Sequence, residues 1–389
     1  MHRYKVLGRK GEGTFSEVLL ASELSSGKQF AIKCMKRRFT SSTEVNNLPE
    51  IRALRQLGNH PNIVSLTDVL FEDGRLAVVL ELMDMNLYEV IKDRRNYLAE
   101  DKVRSWMFQL GTALEYVHRS GYIHRDVKPE NVLLHGESLK LADLGSCCVA
   151  SEGKQRSYDK PGTTAKPGHT EYISTRWYRS PECLLTSGFY SFPLDLWALG
   201  CVWFEVLSLV PLFPGKDEMD QVNRIHSVLG TPDEGVLRGF RANASGSLKD
   251  LRFPHTMGSG IESKTTSNFA SSVVGVIKLL LNYEPSKRIT APELIKHPYF
   301  SGMHVPTLKM GLPSPSLHIV EPQLLAPVLL QPRKISHTMN TSPQHRSVTE
   351  IDHIIAKAIR PPSAKRNNRN NPEFDPLVVR GKPCAKIES

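Results

Sequence analysis

Short apolar runs predict a sheet in the N-terminal part of the chain. The runs at 4–20, 29–33, 63–70 and 76–82 have the length and composition of β-strands, and the first contains a turn that would divide it into two. Between the second and third runs, apolar side chains recur every third residue, as on one face of a helix: Leu48, Ile51, Leu54 and Leu57. We therefore expect one helix packed beside this sheet.

Pro49 constrains where that helix begins. In a helix interior proline removes a hydrogen bond and costs about 3 kcal/mol, whereas in the first turn it costs little. We expect the helix to begin late, with Asn46 or Asn47 as its N-cap and an irregular first turn.

Periodicity is largely lost beyond residue 300. Residues 301–389 hold 12 of the 26 prolines, together with Asn-rich and basic stretches. We expect a Pro-rich basic tail there that is mostly disordered. One stretch, 346–362, differs because its apolar side chains share a helical face: Val348, Ile351, Ile354, Ile355, Ala358 and Ile359. It is either a docking helix or a short transient one.

The net charge of +10 gives little support to specific nucleic-acid binding. Residues 301–389 hold 12 Lys/Arg and 6 Asp/Glu, which leaves 38 against 34 for residues 1–300. The surplus is therefore largest in the tail, and basic blocks such as 365–369 lack interleaved aromatic side chains that would stack on bases. A solvated tail is the simpler interpretation, with nucleic acid or an import receptor as alternatives.

Composition and length allow a large core. A chain of 389 residues with 40% hydrophobic content is long enough for two lobes. Its six cysteines show no metal-ligand spacing, so we expect reduced thiols. No apolar run approaches the roughly 20 residues that a membrane span requires, so we expect no membrane partner.

Residues 124–131 carry the candidate chemistry. The order His-Arg-Asp-Val-Lys-Pro-Glu-Asn is followed by Asp143-Leu144-Gly145. Asp126 can accept the proton of an acceptor hydroxyl, and Lys128 can reach a γ-phosphate. Asn131 and Asp143 offer the oxygen ligands that Mg²⁺ prefers. A lone Asp or Asn in a loop is usually a turn former, but this ordered combination predicts Mg²⁺-dependent phosphoryl transfer from ATP.

The glycine-containing turn is a candidate phosphate site. Glycines allow backbone N–H groups to approach an anion closely, although hairpin turns commonly contain them as well. The nucleotide-binding candidates here are Gly11, Glu12, Gly13, Thr14, Phe15, Ser16, Glu17 and Val18.

Lys10 precedes this turn at a position where an apolar side chain usually covers a purine. Its aliphatic stem can do so while the ammonium stays in water, and we expect weaker ATP binding than usual. The polar break at 81–86 is the expected hinge, with Leu80 at the back of the pocket and the backbones of Glu81 and Met83 bonding adenine. A plain strand-to-helix loop is the alternative.

The order of these motifs resembles a eukaryotic protein kinase of the CMGC group. The resemblance extends from about Tyr4 to Phe300. It also includes Ala31-Ile32-Lys33, Ser180-Pro181-Glu182, the run 195–200 and Arg288. Within the group, the segments 81–88, 145–147, 170–179 and 211–215 resemble the subfamily of MAPK/MAK/MRK-overlapping kinases.

The resemblance implies an α+β, bilobal protein kinase fold. The kinase domain would span 4–300, with a small β-rich N-lobe at about 4–82, a hinge at 81–86 and a larger α-helical C-lobe at about 87–300. The tail would be 301–389. The resemblance further implies that Glu182 pairs with Arg288 and that Asp195 braces the catalytic loop.

The resemblance also assigns catalytic roles. Ala31 would line the nucleotide pocket, and Lys33, held by Glu50, would bind the α- and β-phosphates. Lys128 implies Ser or Thr acceptors rather than Tyr, and Thr175 would orient Asp126 and Lys128.

Regulation is expected in the segment between Asp143 and Glu182. Thr170-Glu171-Tyr172 resembles the dual phosphorylation site of mitogen-activated kinases, and an unmodified loop is the alternative. Phosphates there, added by an upstream kinase or by autophosphorylation, would pair with arginines: Arg125, Arg176 and Arg179. Arg179 would also favour proline after the target residue. Extra residues at about 151–169 are expected to be disordered.

These observations predict a monomeric Mg-ATP-dependent serine/threonine kinase that acts on protein substrates. The resemblance implies a location in the cytoplasm, nucleus or cilium. The competing interpretation is a pseudokinase or scaffold, in which Lys10, Pro49 and the long segment before Glu182 leave the fold as a binding surface.

Overall fold

A computed structural model describes residues 3–150, 176–266 and 269–305. Its N-terminal part is an antiparallel sheet in the order β1-β2-β3-β5-β4. The five strands are β1 (Tyr4–Glu12), β2 (Ser16–Glu23), β3 (Gln29–Met35), β4 (Leu66–Glu72) and β5 (Arg75–Glu81). The first apolar run is thus two strands, as expected.

Strand β3 has a core face and a cleft face. Phe30, Ile32 and Cys34 are buried in a small core of the sheet. Successive side chains of a strand point to opposite faces. Ala31 and Lys33 therefore lie on the other face, from which Lys33 reaches its carboxylate partners.

Two helices follow β3, and the break between them corrects the cap prediction. Helix α1 (Ser42–Asn46) is capped by Ser41, and α2 (Pro49–Leu57) begins with proline in its first turn. The N-cap of α2 is Leu48, in an extended conformation and without a side-chain cap bond, rather than either asparagine. Asn46 instead accepts a hydrogen bond at 2.6 Å from Arg55 of α2. Because Pro49 has no N–H to be capped, α2 can begin without a polar cap.

The chain leaves the sheet through a short connection and enters a helical region. Strand β6 (Met85–Asn86) precedes α3 (Leu87–Ile91), whose N-cap Asn86 forms a reciprocal capping box with Glu89. The remaining described helices are α4 (Glu100–Arg119), α5 (Pro181–Leu185), α6 (Pro193–Ser208), α7 (Glu218–Leu229), α8 (Glu234–Ala242), α9 (Ser271–Leu280) and α10 (Ala291–Ile295). This order of a sheet followed by helices confirms the predicted α+β class.

Five short strands support the segment that carries the candidate catalytic residues. Strand β7 (Tyr122–Ile123) pairs with β10 (Cys148–Val149), while β8 (Val132–His135) pairs with β6 and with β9 (Ser138–Leu141). The candidate catalytic residues occupy the loop between β7 and β8, and Asp143 follows β9. Paired strands therefore hold both ends of the loop between β7 and β8, and both ends of the segment that carries Asp143.

Helix α6 is the centre of the helical region. All its residues from 194 to 208 are buried, and a Cβ at Gly200 would lie 2.9 Å from Leu280 Cβ of α9. The helix can therefore approach α9 closely only because this residue is glycine. At its start, Pro193 O accepts from Arg288, whose guanidinium also binds Glu182 at 2.7 and 3.0 Å. This buried pair confirms the expected partnership.

The described part of the chain forms no disulfide, since its five cysteines are free: Cys34, Cys147, Cys148, Cys183 and Cys201. Across the same residues, no helix is both long and apolar enough to cross a bilayer.

Candidate active site

Lys33 joins the sheet, helix α2 and the segment after β9. Its Nζ lies 2.7 Å from Glu50 Oε1 and 3.0 Å from Asp143 Oδ1. Burial disfavours the charge on Lys33, but the two carboxylates outweigh it and raise the pKa of the ammonium. Burial likewise disfavours the Asp143 carboxylate, yet Lys33 outweighs it and lowers the pKa of that acid. Both groups are therefore charged at neutral pH.

Asp143 is held in an unusual backbone conformation. Its φ of 56° and ψ of 69° are left-handed, and the next residue, Leu144, is buried. Gly145 follows, where an added Cβ would lie 3.2 Å from Asp143 Oδ1 and 3.5 Å from Glu50 Oε2. Glycine thus keeps space open around both carboxylates.

Asp126, Lys128 and Asn131 meet in the loop between β7 and β8. Lys128 Nζ lies 2.9 Å from Asp126 Oδ2, and the Asn131 amide donates to the same oxygen at 2.9 Å and to Asp126 O at 2.8 Å. The two donors therefore fix the orientation of the Asp126 carboxylate. Because both use Oδ2, we expect an acceptor hydroxyl to face Oδ1.

Asn131 and Asp143 have the chemistry expected of Mg²⁺ ligands. Ala142 N donates to Asn131 O at 2.8 Å, which brings the loop beside the segment that carries Asp143. Since the Asn131 amide nitrogen binds Asp126, its Oδ1 remains as the donor suited to a metal. The Asp143 side chain is 44% exposed and can supply a carboxylate oxygen. In the part of the chain described, no group of three or more His, Cys, Asp or Glu side chains could hold a metal.

A fully buried carboxylate on α6 anchors the catalytic loop. Asp195 accepts from the backbone of His124 and of Arg125, each at 2.8 Å, and lies 2.9 Å from His118 Nε2. Burial would raise the pKa of Asp195, but the bond from His118 and the other donors lower it. Asp195 therefore braces this loop, as the resemblance implied, whereas its contact with His118 was not predicted.

His124 supports the same loop from inside. It is fully buried, its Nδ1 accepts from the Asp126 N–H at 3.3 Å, and its Nε2 lies 3.1 Å from Ala142 O. An acceptor at Nδ1 and a donor at Nε2 correspond to the neutral Nε2–H tautomer. The ring thus links the proton acceptor to the segment before Asp143.

The glycine-containing turn lies between β1 and β2. Gly11 and Glu12 end β1, Ser16, Glu17 and Val18 begin β2, and the residues between them are Gly13, Thr14 and Phe15. The turn is closed by Gly13 N–H to Ser16 O at 2.8 Å. Glu12 is held by Lys36 at 2.9 Å and by Arg9 at 2.7 Å. Its carboxylate therefore faces cations of its own chain, and Glu12 shapes the turn.

The ammonium of Lys10 makes contacts that were not predicted, although the side chain remains exposed. Its Nζ donates to Met83 O at 2.8 Å and to Asp84 O at 3.2 Å. The expectation placed this ammonium in water and did not include the backbone carbonyls of the hinge as acceptors. Lys10 is thus a strap across the outer edge of the cleft.

The other hinge candidates lie around the same cleft. Leu80 is opposite Ala31 in the pairing of β5 with β3. The Glu81 side chain binds Lys140 Nζ at 2.7 Å and Ser65 N at 2.6 Å. It therefore ties β5 to β9, and only the Glu81 backbone is left for the nucleotide role. Nothing in the sequence identified Lys140, since its spacing from Glu81 is 59 residues.

The three candidate phosphate-binding arginines have different surroundings. Arg125 Nε donates to Ser146 O at 2.6 Å, and its Nη1 donates to Tyr190 OH at 3.2 Å. Arg176 is buried and donates to Lys216 O at 3.2 Å, while Arg179 lies 3.5 Å from Glu218. The contacts described for these three arginines thus run to different parts of the chain. Thr170, Tyr172, Thr175 and the extra residues at 151–169 lie outside the described residues.

Comparisons with known proteins agree with this geometry. A family model described as "Protein kinase domain" matches residues 4–300. The chain is 47% identical over 302 residues to the MAPK/MAK/MRK overlapping kinase of Homo sapiens, across 77% of this chain and 68% of that protein. It is 34% identical over 408 residues to the serine/threonine-protein kinase MAK of Rattus norvegicus, across 100% of this chain and 62% of that protein. The similarity indicated by the sequence segments is therefore confirmed.

Proposed function

The chain belongs to the protein kinase family, within its CMGC group, and we propose that it transfers the γ-phosphate of ATP to Ser or Thr hydroxyls of proteins. The observation that carries the proposal is that one ammonium, Lys33 Nζ, lies within 3.0 Å of both Glu50 and Asp143. A cation for phosphate oxygens and a carboxylate for a metal are thereby held at a fixed separation.

Asp126 is the proposed proton acceptor. Its carboxylate takes the proton of the acceptor hydroxyl, while Lys128 and Asn131 hold Oδ2 and so keep the other oxygen directed outward. When a nucleotide is bound, Lys128 can also place positive charge beside the transferred group, which carries its charge on three oxygens. The loop therefore combines proton removal with charge stabilisation.

Asn131 and Asp143 are the proposed ligands of Mg²⁺. The ion, when bound, neutralises negative charge on the phosphates. Lys33 keeps Asp143 ionised and oriented, as its lowered pKa indicates. The backbone of the turn at 11–18 is the proposed cover of the phosphates, and the Glu81 and Met83 backbones are the proposed adenine partners.

Specificity and regulation follow from the resemblance. We propose Ser/Thr acceptors on the basis of Lys128, with Thr175 orienting Asp126 and Lys128. We also propose, on the basis of Arg179, a preference for proline after the acceptor. We further propose activation by phosphorylation of Thr170 and Tyr172, by an upstream kinase or by the chain itself. We also propose that the protein is a monomer and that it is located in the cytoplasm, nucleus or cilium.

A transfer assay with radiolabelled ATP tests the proposal. The Asp126→Asn variant keeps the shape of the side chain but loses a basic oxygen, so transfer should fall at least about a hundredfold. The Asp101→Asn variant is the matched control, since that carboxylate is 95% exposed at the start of α4. Equal transfer by wild type and Asp126→Asn would instead favour the scaffold interpretation.

A further inference from the structure

Tyr190 contacts the catalytic loop from 65 residues away. Its hydroxyl oxygen accepts a hydrogen bond from Arg125 Nη1 at 3.2 Å. It lies in the connection between α5 and α6, which is separate from every motif recognised in the sequence. Arg125 immediately precedes the proposed proton acceptor, so its position bears directly on that residue.

Arg125 is strained and held at several points. Its φ of 68° lies in the left-handed region, which is strained for a residue other than glycine. Such a conformation persists only where the surroundings fix it. The anchors of Arg125 include Asp195 Oδ1 on its backbone N–H, Ser146 O on Nε and Tyr190 OH on Nη1. Tyr190 is thus one of the groups that oppose relaxation of the loop.

Tyr190 borders a cavity, so its hydroxyl has a larger share in holding the side chain beside Arg125. Its ring lines a cavity of about 620 Å³ together with Phe189, Val236 and Phe240. One side of the ring therefore borders open space rather than tightly packed atoms. Burial raises the pKa of Tyr190 to about 12, although Arg125 acts in the opposite direction, so the phenol is neutral under ordinary conditions.

We infer that Tyr190 is a positioning residue for the proposed transfer reaction, acting through Arg125. Its hydroxyl gives the guanidinium an acceptor that requires no phosphate on Thr170 or Tyr172. It therefore supports the activity of the unphosphorylated enzyme. The inference rests on the proposed kinase function.

A double-mutant cycle on phosphatase-treated, full-length protein tests the inference. The four proteins are wild type, Tyr190→Phe, Arg125→Met and the double variant, with kcat and the KM for ATP measured for each. Tyr190→Phe keeps the ring and removes one bond to a charged group. We expect kcat to fall about fivefold while KM changes less than about twofold. In the Arg125→Met background the same change should have almost no effect.

The control is Tyr97→Phe, which removes a hydroxyl from a side chain on the exposed surface and should leave kcat unchanged. Thermal unfolding of each variant separates loss of activity from loss of fold. An unchanged kcat in Tyr190→Phe, or an equal fall in both Arg125 backgrounds, would overturn the inference alone. Wild-type transfer no faster than that of Asp126→Asn would overturn the proposed function as well.

Discussion

Lys10 and Met83 are joined by a hydrogen bond of 2.8 Å from the lysine ammonium to the main-chain oxygen. The bond connects β1, just before the glycine-containing turn, to the hinge 73 residues later. A ligand that requires the Met83 oxygen must compete with this ammonium, whereas one that uses the Met83 N–H need not. The strap therefore places a positive charge at the edge of the proposed adenine site.

Replacing Lys10 with an apolar residue should strengthen ATP binding. Lys10→Ile removes the strap and supplies a branched side chain that can cover a purine. Partial burial of such a side chain is worth about 1 kcal/mol, which corresponds to about a fivefold lower Kd. Calorimetric titration with ATP and Mg²⁺ measures it.

The matched control is Lys5→Ile, the same change at an exposed position of the same strand. It should leave the Kd unchanged. If Lys10→Ile binds ATP with the wild-type Kd, the strap has no influence on the nucleotide.

Removing the charge of Glu50 should disable the site without unfolding the protein. Lys33 has two carboxylate partners, and Glu50→Gln removes one of them. The ammonium should then shift toward the other, Asp143, which is the proposed metal ligand. A displacement of about 1 Å at a catalytic group can cost about a hundredfold in rate, and we expect kcat/KM to fall by that factor. Steady-state kinetics provide the measurement.

Glu137→Gln is the control for this charge change, because that side chain is 77% exposed. Its kcat/KM should match the wild type. A Glu50→Gln enzyme that retained most of its activity would show that the pair with Lys33 is dispensable.

The free energy of unfolding should decrease as the pH rises from about 4.5 to about 7, because of Glu205. It lies on α6, where burial raises its pKa to about 7, while the bond at 2.7 Å from Tyr178 OH opposes the rise. Its folded-state pKa exceeds the unfolded value, so its contribution is complete at low pH and is lost as pH rises through the folded pKa. The full loss is about 3 kcal/mol.

The Glu205→Gln variant isolates this contribution, since an amide does not titrate and can still accept from Tyr178. Denaturant unfolding of both proteins from pH 5 to pH 8 should show the wild type losing stability relative to the variant. Parallel curves would mean that Glu205 does not change its ionisation in this range.

Breaking the pair of Arg288 and Glu182 should strongly destabilise the helical region. Arg288→Met leaves a buried carboxylate without its guanidinium, a change that typically costs about 3–5 kcal/mol. Because Arg288 also donates to Asn282 O and Pro193 O, those carbonyls lose donors too. Urea unfolding monitored by tryptophan fluorescence measures the loss.

The neighbouring Lys287→Met is the control, since its bond to Glu284 lies at the surface. It should change the unfolding midpoint little. Comparable midpoints for the two variants would contradict the proposed importance of the buried pair.

Local chemistry was predictable where the interacting residues are close in sequence. Asp126, Lys128 and Asn131 lie within six residues, so any compact loop brings them together. The strands could be predicted from the apolar runs, because the side chains that form these runs are the ones that the folded sheet buries. The meeting of Lys33, Glu50 and Asp143 is different. The resemblance predicted the pair of Lys33 and Glu50, whereas the contact of Lys33 with Asp143, which spans 110 residues, was not predicted.

Contacts that depend on tertiary arrangement were missed or wrongly placed. The bond of His118 to Asp195 spans 77 residues, and that of Lys140 to Glu81 spans 59. Neither follows from composition or spacing, because each depends on how a helix or hairpin packs. The bonds of the Lys10 ammonium to the hinge carbonyls were missed for the same reason, since Lys10 and Met83 are 73 residues apart.

Because of Asp195, the position of the proposed proton acceptor and the binding of the nucleotide depend on different parts of the fold. Through this one buried carboxylate, the backbone before Asp126 takes its position from helix α6 rather than from the sheet. A substitution along the nucleotide-facing edge, such as Lys10→Ile, is therefore expected to alter nucleotide binding without moving Asp126. The two halves of the cleft can thus be altered independently of each other.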